Sequence, residues 1–282
     1  MQLHGRVALV TGASRGIGQA LAVRFAAEGA TVLAVGRSLD GTGQFAGSLA
    51  ETVDLTNGRA IAVPAEIGTA AGRDAVAAAA REVGPISIVV NNAAAPRAFD
   101  LRFPDMDENA FRLAVDVNVW AAWDLAARFV PDMRSIGAGW ILNVSSAQAA
   151  PRIPGASSRT GGACLYGGTK AMLDRVTTGA AQDLYADGIA VNALAPEAAI
   201  ATEHASGVGL PPDKVEPVET FVEAALALVS GDPRTLTGRI AYSLSLVREL
   251  MLPVRTLDGR DLVPGWQPDD IDDSRLFPGY LR

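Results

Sequence analysis

Cysteine and histidine are nearly absent from this chain. Cys164 is its only cysteine, so no disulfide can form within it, and with His4 and His204 as its only histidines no cluster has metal-ligand spacing. Cys164, two residues before Tyr166, is expected to be a small packed side chain, and both histidines are expected at the surface. Charge is sparse as well: 20% of residues are charged, and 24 lysines and arginines face 31 aspartates and glutamates. The net charge of −7 and the lack of a basic stripe argue against nucleic acid as a partner. No run reaches the ~18 consecutive apolar residues of a membrane span. The opening MQLHGRVALVTG enters a strand pattern directly, without a charged leader or cleavage site. A cytoplasmic protein with no membrane partner is therefore expected.

What the chain does contain is aliphatic, alanine-rich sequence: 49% of its 282 residues are hydrophobic, enough for a large core. Seven short runs, VALVT (7–11), TVLAV (31–35), AIAV (60–63), ISIVV (86–90), WILNV (140–144), IAVNAL (189–194) and RIAYSL (239–244), are apolar nearly throughout. Strands covered by helices on both faces read this way. Between them lie stretches of helical period, such as GQALAVRFAAEG, GRDAVAAAAREVG and a long one from Glu108 to Met133. The alternation predicts a Rossmann-type, doubly wound α/β fold with a seven-stranded parallel sheet. It spans one domain over residues 1–250, and an irregular extension follows over 251–282. QAAPRIPGASSRTGGA (148–163) breaks the rhythm with two prolines and three glycines, so a loop is expected there. The polar, proline-bearing tail is expected to lie across the surface or a neighbouring subunit.

TGASRGIG (11–18) follows the first strand and opens the first helix, the context a dinucleotide-binding turn requires. Its glycines allow a tight turn and a close approach of backbone N–H groups to a pyrophosphate, and the helix amino terminus adds partial positive charge. Further motifs follow in order: Asn91-Asn92-Ala93-Ala94 after the fourth strand, Asn118 in a long helix, Ser145-Ser146 after the fifth strand, and Tyr166-Gly-Gly-Thr-Lys170. With Gly12, Gly16 and Gly18 in TGxxxGxG spacing, this set resembles the short-chain dehydrogenase/reductase family over about residues 5 to 242.

The resemblance implies an alcohol–carbonyl oxidoreductase with Asn118, Ser146, Tyr166 and Lys170 as catalytic residues. Tyr166 and Lys170 share a helix face at i, i+4. A free phenol titrates at ~10, and bringing it down by about three units takes roughly 4 kcal/mol, within reach of a close ammonium. Tyr166 is then the general acid/base, Lys170 lowers its pKa and binds ribose, and Asn118 holds a water linking Lys170 to solvent. Ser146 hydrogen-bonds the substrate oxygen, with Ser145 as the alternative. Cofactor contacts implied by the resemblance are Gly12, Ser14, Arg15, Gly16, Ile17, Gly18, Arg37, Glu66, Ile67, Asn92, Ala93, Ala94, Tyr166, Lys170, Pro196, Ile200 and Thr202. Arg37 ends the second strand where an acidic residue would accept from the 2′-hydroxyl of NAD. An arginine there, helped by Arg15 and Ser14, favours the 2′-phosphate of NADP(H) over NAD(H), or else simply points to solvent.

The chain also departs from the family pattern. Ser146 and Tyr166 stand twenty positions apart, more than is usual, so the intervening loop has to bulge outward. Pro196-Glu197 replaces the usual Pro-Gly, and Thr202 arrives one residue late. The spacing of proline, isoleucine and threonine looks most like the hydroxysteroid dehydrogenase-like subgroup. Gln148, Ala149, Ile153 and residues 203–212 are expected to wall a pocket for a small, apolar alcohol or carbonyl compound, and Arg152 and Arg159 are expected to be solvated. The helices from Glu108 to Met133 and from Cys164 to Asp187 imply a homodimer or homotetramer, with Trp120 and Trp123 either in its interface or in the core. Two other readings are an NADP-binding sensor or scaffold without catalysis, and a sugar-nucleotide epimerase, for which TGxxGxxG spacing would be needed.

Overall fold

The structure, a computed structural model, describes residues 1–41, 46–95, 103–151, 163–201 and 215–276. Ile153, Arg152, Arg159, Thr202, His204 and the rest of 203–212 lie outside these residues. β1 (Val7–Thr11), β2 (Thr31–Gly36), β3 (Ala60–Pro64), β4 (Ile88–Asn91), β5 (Gly139–Val144), β6 (Ile189–Ala195) and β9 (Ile240–Tyr242) form one parallel sheet, ordered β3-β2-β1-β4-β5-β6-β9. β7 (Ala199–Ile200) and β8 (Val215–Glu216) pair separately. All seven expected strands are present, with ends shifted by a few residues.

Alternate strand residues serve opposite faces, which explains why the runs are apolar throughout. Ala8, Val10, Val32, Ala34, Leu142 and Val144 belong to one core cluster. There they meet α1 (Gly16–Ala27), α7 (Val218–Ser230) and α8 (Ser243–Glu249). Leu9, Leu33, Val35, Val89, Ile141 and Val191 belong to a second cluster, with α3 (Ala70–Val83), α5 (Ala121–Ile136) and part of α6 (Ala163–Asp183).

Three expectations need correcting. The stretch from Glu108 to Met133 is not one α-helix: α4 (Glu108–Val115) and α5 are separated by a π turn, Asp116–Trp120, whose extra residue rotates the helix faces before and after it. RIAYSL is a strand only over Ile240–Tyr242, and α8 begins at Ser243. Cys164 is exposed, because the first turn of α6 directs Leu165 and Tyr166 inward instead. A short helix, α2 (Leu49–Leu55), also occupies the connection from β2 to β3, started by Ser48, which accepts a hydrogen bond from Glu51 N–H. His4 is exposed, and so are Trp120 and Trp123.

The tail folds back on its own subunit. Val254 and Ile271 are buried in the same cluster as α1, α7 and α8, and Arg255 bridges Leu262 in antiparallel fashion. The buried Arg24 guanidinium pairs with Glu223 and, at 2.9 Å, with Glu28, while Glu223 also accepts from Arg255 N–H at 3.1 Å. The Gln267 amide donates to the Val254 and Val263 carbonyls at 2.9 and 2.8 Å. With its side chain in the core, Ile271→Ala is expected to cost about 2–5 kcal/mol in urea denaturation. An unchanged unfolding midpoint would mean that the tail rests on the domain without stabilising it.

Candidate active site

The carboxyl ends of β1, β4, β5 and β6 open on one edge of the sheet. Strand order reverses between β1 and β4, the point where α/β sheets leave a crevice for ligands. Gly12 (φ 67°) and Gly16 (φ 55°) turn the chain in the left-handed region, and a Cβ on Gly18 would lie 2.2 Å from the Gly12 carbonyl oxygen. α1 thus starts hard against the end of β1. Its first turn has no acidic residue, and the Arg15 side chain at its N-cap makes no capping hydrogen bond among the described residues. Uncapped amides at a helix amino terminus are donors suited to a phosphate, so this cradle fits the diphosphate of a dinucleotide.

Thr11, not anticipated from sequence, ties the cradle to β4. Its hydroxyl accepts from Asn92 N–H at 3.0 Å and Ala93 N–H at 3.1 Å, and donates to the Val90 carbonyl at 3.3 Å. The Asn92 amide donates to Thr11 O at 2.8 Å, so Asn92 positions backbone, while Ala94 is exposed beside it. Arg15 and Arg37 approach closely enough that Arg15 is pushed below the usual arginine pKa, first by burial and then by the charge of Arg37. The two guanidinium groups stand near the half-buried Ser14 and Ile17, and cations so placed suit an anion. Glu66, expected at the adenine, pairs loosely with Arg37 at 3.7 Å; Ile67 is buried in the core, so only its backbone can face a ligand.

Tyr166 projects from the first turns of α6 and is buried, with the Ser146 hydroxyl near enough to its phenol to favour the ionised form. Ser146 extends from the end of β5 and also accepts from Gln148 N–H at 3.2 Å. Ser145 turns the other way, toward Asp174. A Cβ on Gly167 would meet the Gln148 carbonyl oxygen at 2.5 Å, so this glycine lets α6 lie on the Ser146–Ala149 turn. Ala149 is buried there and Gln148 half-buried.

Lys170 is fully buried, its Nζ 5.6 Å from the Tyr166 ring centre and donating to the Val144 carbonyl at 2.6 Å. Burial pushes the Tyr166 phenol up to about 12, with Ser146 acting against it, and pulls Lys170 down to about 8. The expected lowering of the tyrosine is therefore absent in the protein alone, because desolvation outweighs a lysine committed to a carbonyl. Asn118, in the π turn, accepts from Ala95 N–H at 2.7 Å and donates to Thr169 Oγ1 at 2.9 Å. Both ends of its side chain are thus occupied by protein groups.

Pro196 and Ile200 flank a segment fixed by a carboxylate that sequence reasoning missed. Buried Glu216 accepts from Glu197 N–H at 2.9 Å, Ala198 N–H at 3.0 Å, Thr220 Oγ1 at 2.7 Å and Ser243 Oγ at 2.8 Å. Burial raises its pKa to about 7 against these hydrogen bonds. Glu197 in turn accepts from Ser245 N–H at 2.9 Å. The glutamate standing where glycine is usual was the one visible sign of this arrangement.

The chain matches the family described as short chain dehydrogenase over residues 6–209, and it belongs to that family. It is 30% identical over 201 residues to 7alpha-hydroxysteroid dehydrogenase of Escherichia coli (strain K12), covering 70% of this chain and 72% of that one. It is 33% identical over 193 residues to a 3-oxoacyl-(acyl-carrier-protein) reductase of Staphylococcus aureus (strain Mu50), covering 67% and 72%. Among solved structures, one from Beutenbergia cavernae with bound NADP at low occupancy aligns with a TM-score of 0.71 and 28% identity, over 86% of this chain and 96% of that one. A Serratia marcescens short-chain dehydrogenase/reductase double mutant aligns with a TM-score of 0.73 and 26% identity, over 86% and 97%. The protein is thus an oxidoreductase of the alcohol–carbonyl, nucleotide-dependent kind. No helix among the described residues is long and apolar enough to cross a membrane.

Because α1 cannot begin where it does with a side chain at position 18, Gly18→Ala is expected to weaken NADPH binding roughly 100-fold in a fluorescence titration. Unchanged binding would show that the turn can yield.

Proposed function

We propose that this chain interconverts an alcohol and a carbonyl compound with NADP(H), using Tyr166 as general acid/base. The observation that carries the proposal is the Lys170 ammonium within 5.6 Å of the ring centre of a buried Tyr166, with the Ser146 hydroxyl near enough to its phenol to favour the ionised form. When bound, the nicotinamide supplies or accepts the hydride. The phenol, protonated at neutral pH, gives its proton to the carbonyl oxygen while the Ser146 hydroxyl stabilises charge developing there. Lys170 favours the phenolate left behind and holds ribose hydroxyls, and a water on Asn118 returns the proton. Gly12, Gly16, Ile17 and Gly18 hold the diphosphate; Asn92, Ala93 and Ala94 border the ribose; Glu66 and Ile67 border the adenine; Pro196, Ile200 and Thr202 meet the nicotinamide. The proximity of Arg15 to Arg37 supports NADP(H) over NAD(H).

Following NADPH oxidation across ketones, aldehydes, quinones and 3-oxoacyl thioesters tests this proposal. Turnover is expected that disappears in Tyr166→Phe. Arg37→Asp should raise the KM for NADPH about tenfold or more and leave that for NADH little changed. NADPH binding without turnover in either direction would favour the sensor reading.

Trp120 and Trp123 are about half exposed on the α4–α5 arm, as are Phe111 on α4 and Met172 on neighbouring α6. Such an apolar surface supports pairing of two copies, as a homodimer or as half of a homotetramer. In sedimentation experiments, Trp120→Glu with Trp123→Glu is expected to give monomers. An assembly indifferent to both changes does not use this face.

A further inference from the structure

Asp174 and Ser145 form a buried polar pair for which the mechanism above has no use. Asp174 lies one helical turn beyond Lys170 on α6, on the same face. Both side chains are buried. Among the described residues, Asp174 Oδ1 has no hydrogen-bond partner, and neither has the buried Ser145 hydroxyl beside it. That hydroxyl favours the ionised carboxylate by proximity, although the two groups stand outside hydrogen-bond geometry. A carboxylate with an orphaned oxygen in the interior is costly, and so is a buried ammonium whose one hydrogen bond goes to a neutral carbonyl. Each charge is the compensation the other lacks.

Other titratable groups among the described residues are turned away or too weak to replace this partner. β5, β6 and the Ala147–Ala149 turn, which pack on this part of α6, carry none. Glu108 and Arg112 on α4 are exposed and paired with each other, and Asp116 in the π turn is exposed. Arg175 and Asp183 on α6 are exposed, and β9 contributes only the phenol of Tyr242. Tyr166 remains, itself neutral at physiological pH.

We infer that Asp174 is a positioning residue for catalysis: it is the counter-charge that keeps Lys170 an ammonium inside the protein and so available to Tyr166. This rests on the proposed role of Lys170. Burial sets Lys170 at about 8 with Asp174 acting against it, and sets Asp174 at about 6 with Ser145 and Lys170 acting against it. Both groups are therefore charged between those values. Losing the negative charge lowers the joint proton affinity of Lys170 and Tyr166, whichever of them releases the proton.

The pH profile of carbonyl reduction by Asp174→Asn and Asp174→Glu is the first test. The alkaline limb should move about one pH unit or more lower in the asparagine variant and stay near the wild-type position in the glutamate variant. A folded asparagine variant with an unmoved limb overturns the inference. A second measurement needs neither substrate nor cofactor: urea denaturation at pH 7 of Lys170→Met, Asp174→Asn and the double variant. The double variant should lose less than the sum of the single losses, since it removes both charges together; additive losses overturn the pairing. Turnover that survives Tyr166→Phe would instead strike the proposed function and leave the denaturation result standing.

Discussion

The contact between the start of α1 and the end of β1 is the constraint on which the site depends. With only a hydrogen at position 18, the helix amino terminus comes to rest against the Gly12 carbonyl, aimed into the crevice between β1 and β4. Thr11 then needs only one hydroxyl to hold the exits of both strands together. From there the parallel register carries the edge across β5 and β6, so Ser146 and Pro196 emerge on the same side as the glycine turn. Catalytic geometry is therefore inherited from strand register rather than built loop by loop.

Burial governs the chemistry at the other end of the crevice. Tyr166, Lys170, Asp174 and Glu216 are all removed from water, and each pKa moves in the direction that disfavours charge. What separates them is their partners. Glu216 has four donors around it and becomes a structural clamp. Lys170 and Asp174 have few partners, and groups left unsatisfied in this way are the ones whose ionisation a bound cofactor can redirect.

Much of this was legible in the sequence, because it depends on local spacing. The strands show as doubly apolar runs, the cradle as glycines between strand and helix, and Tyr166 with Lys170 as an i, i+4 pair. The features that escaped need partners distant in the chain. Nothing near Asn118 announces a π turn, which is stabilised by bonds to Ala95 and Thr169. Thr11 reads as the last residue of a strand until β4 lies beside it. Ser145 and Asp174 meet only when β5 packs on α6, and which of Ser145 and Ser146 looks toward Tyr166 depends on the alternating faces of the extended chain. Cys164 was misjudged because composition says that cysteines pack, whereas the phase of α6 decides which side it presents.

The returning tail has a consequence for how the molecule comes into being. Leu3 and Ile271 belong to one core cluster, so segments far apart in the sequence must be enclosed together. Until Ile271 is available, the surface formed by α1, α7 and α8 stays uncovered on a nascent chain, apolar and open to the wrong partners. This part of the core is closed by contacts between residues far apart in sequence, the kind that form late because loop closure has to come before them.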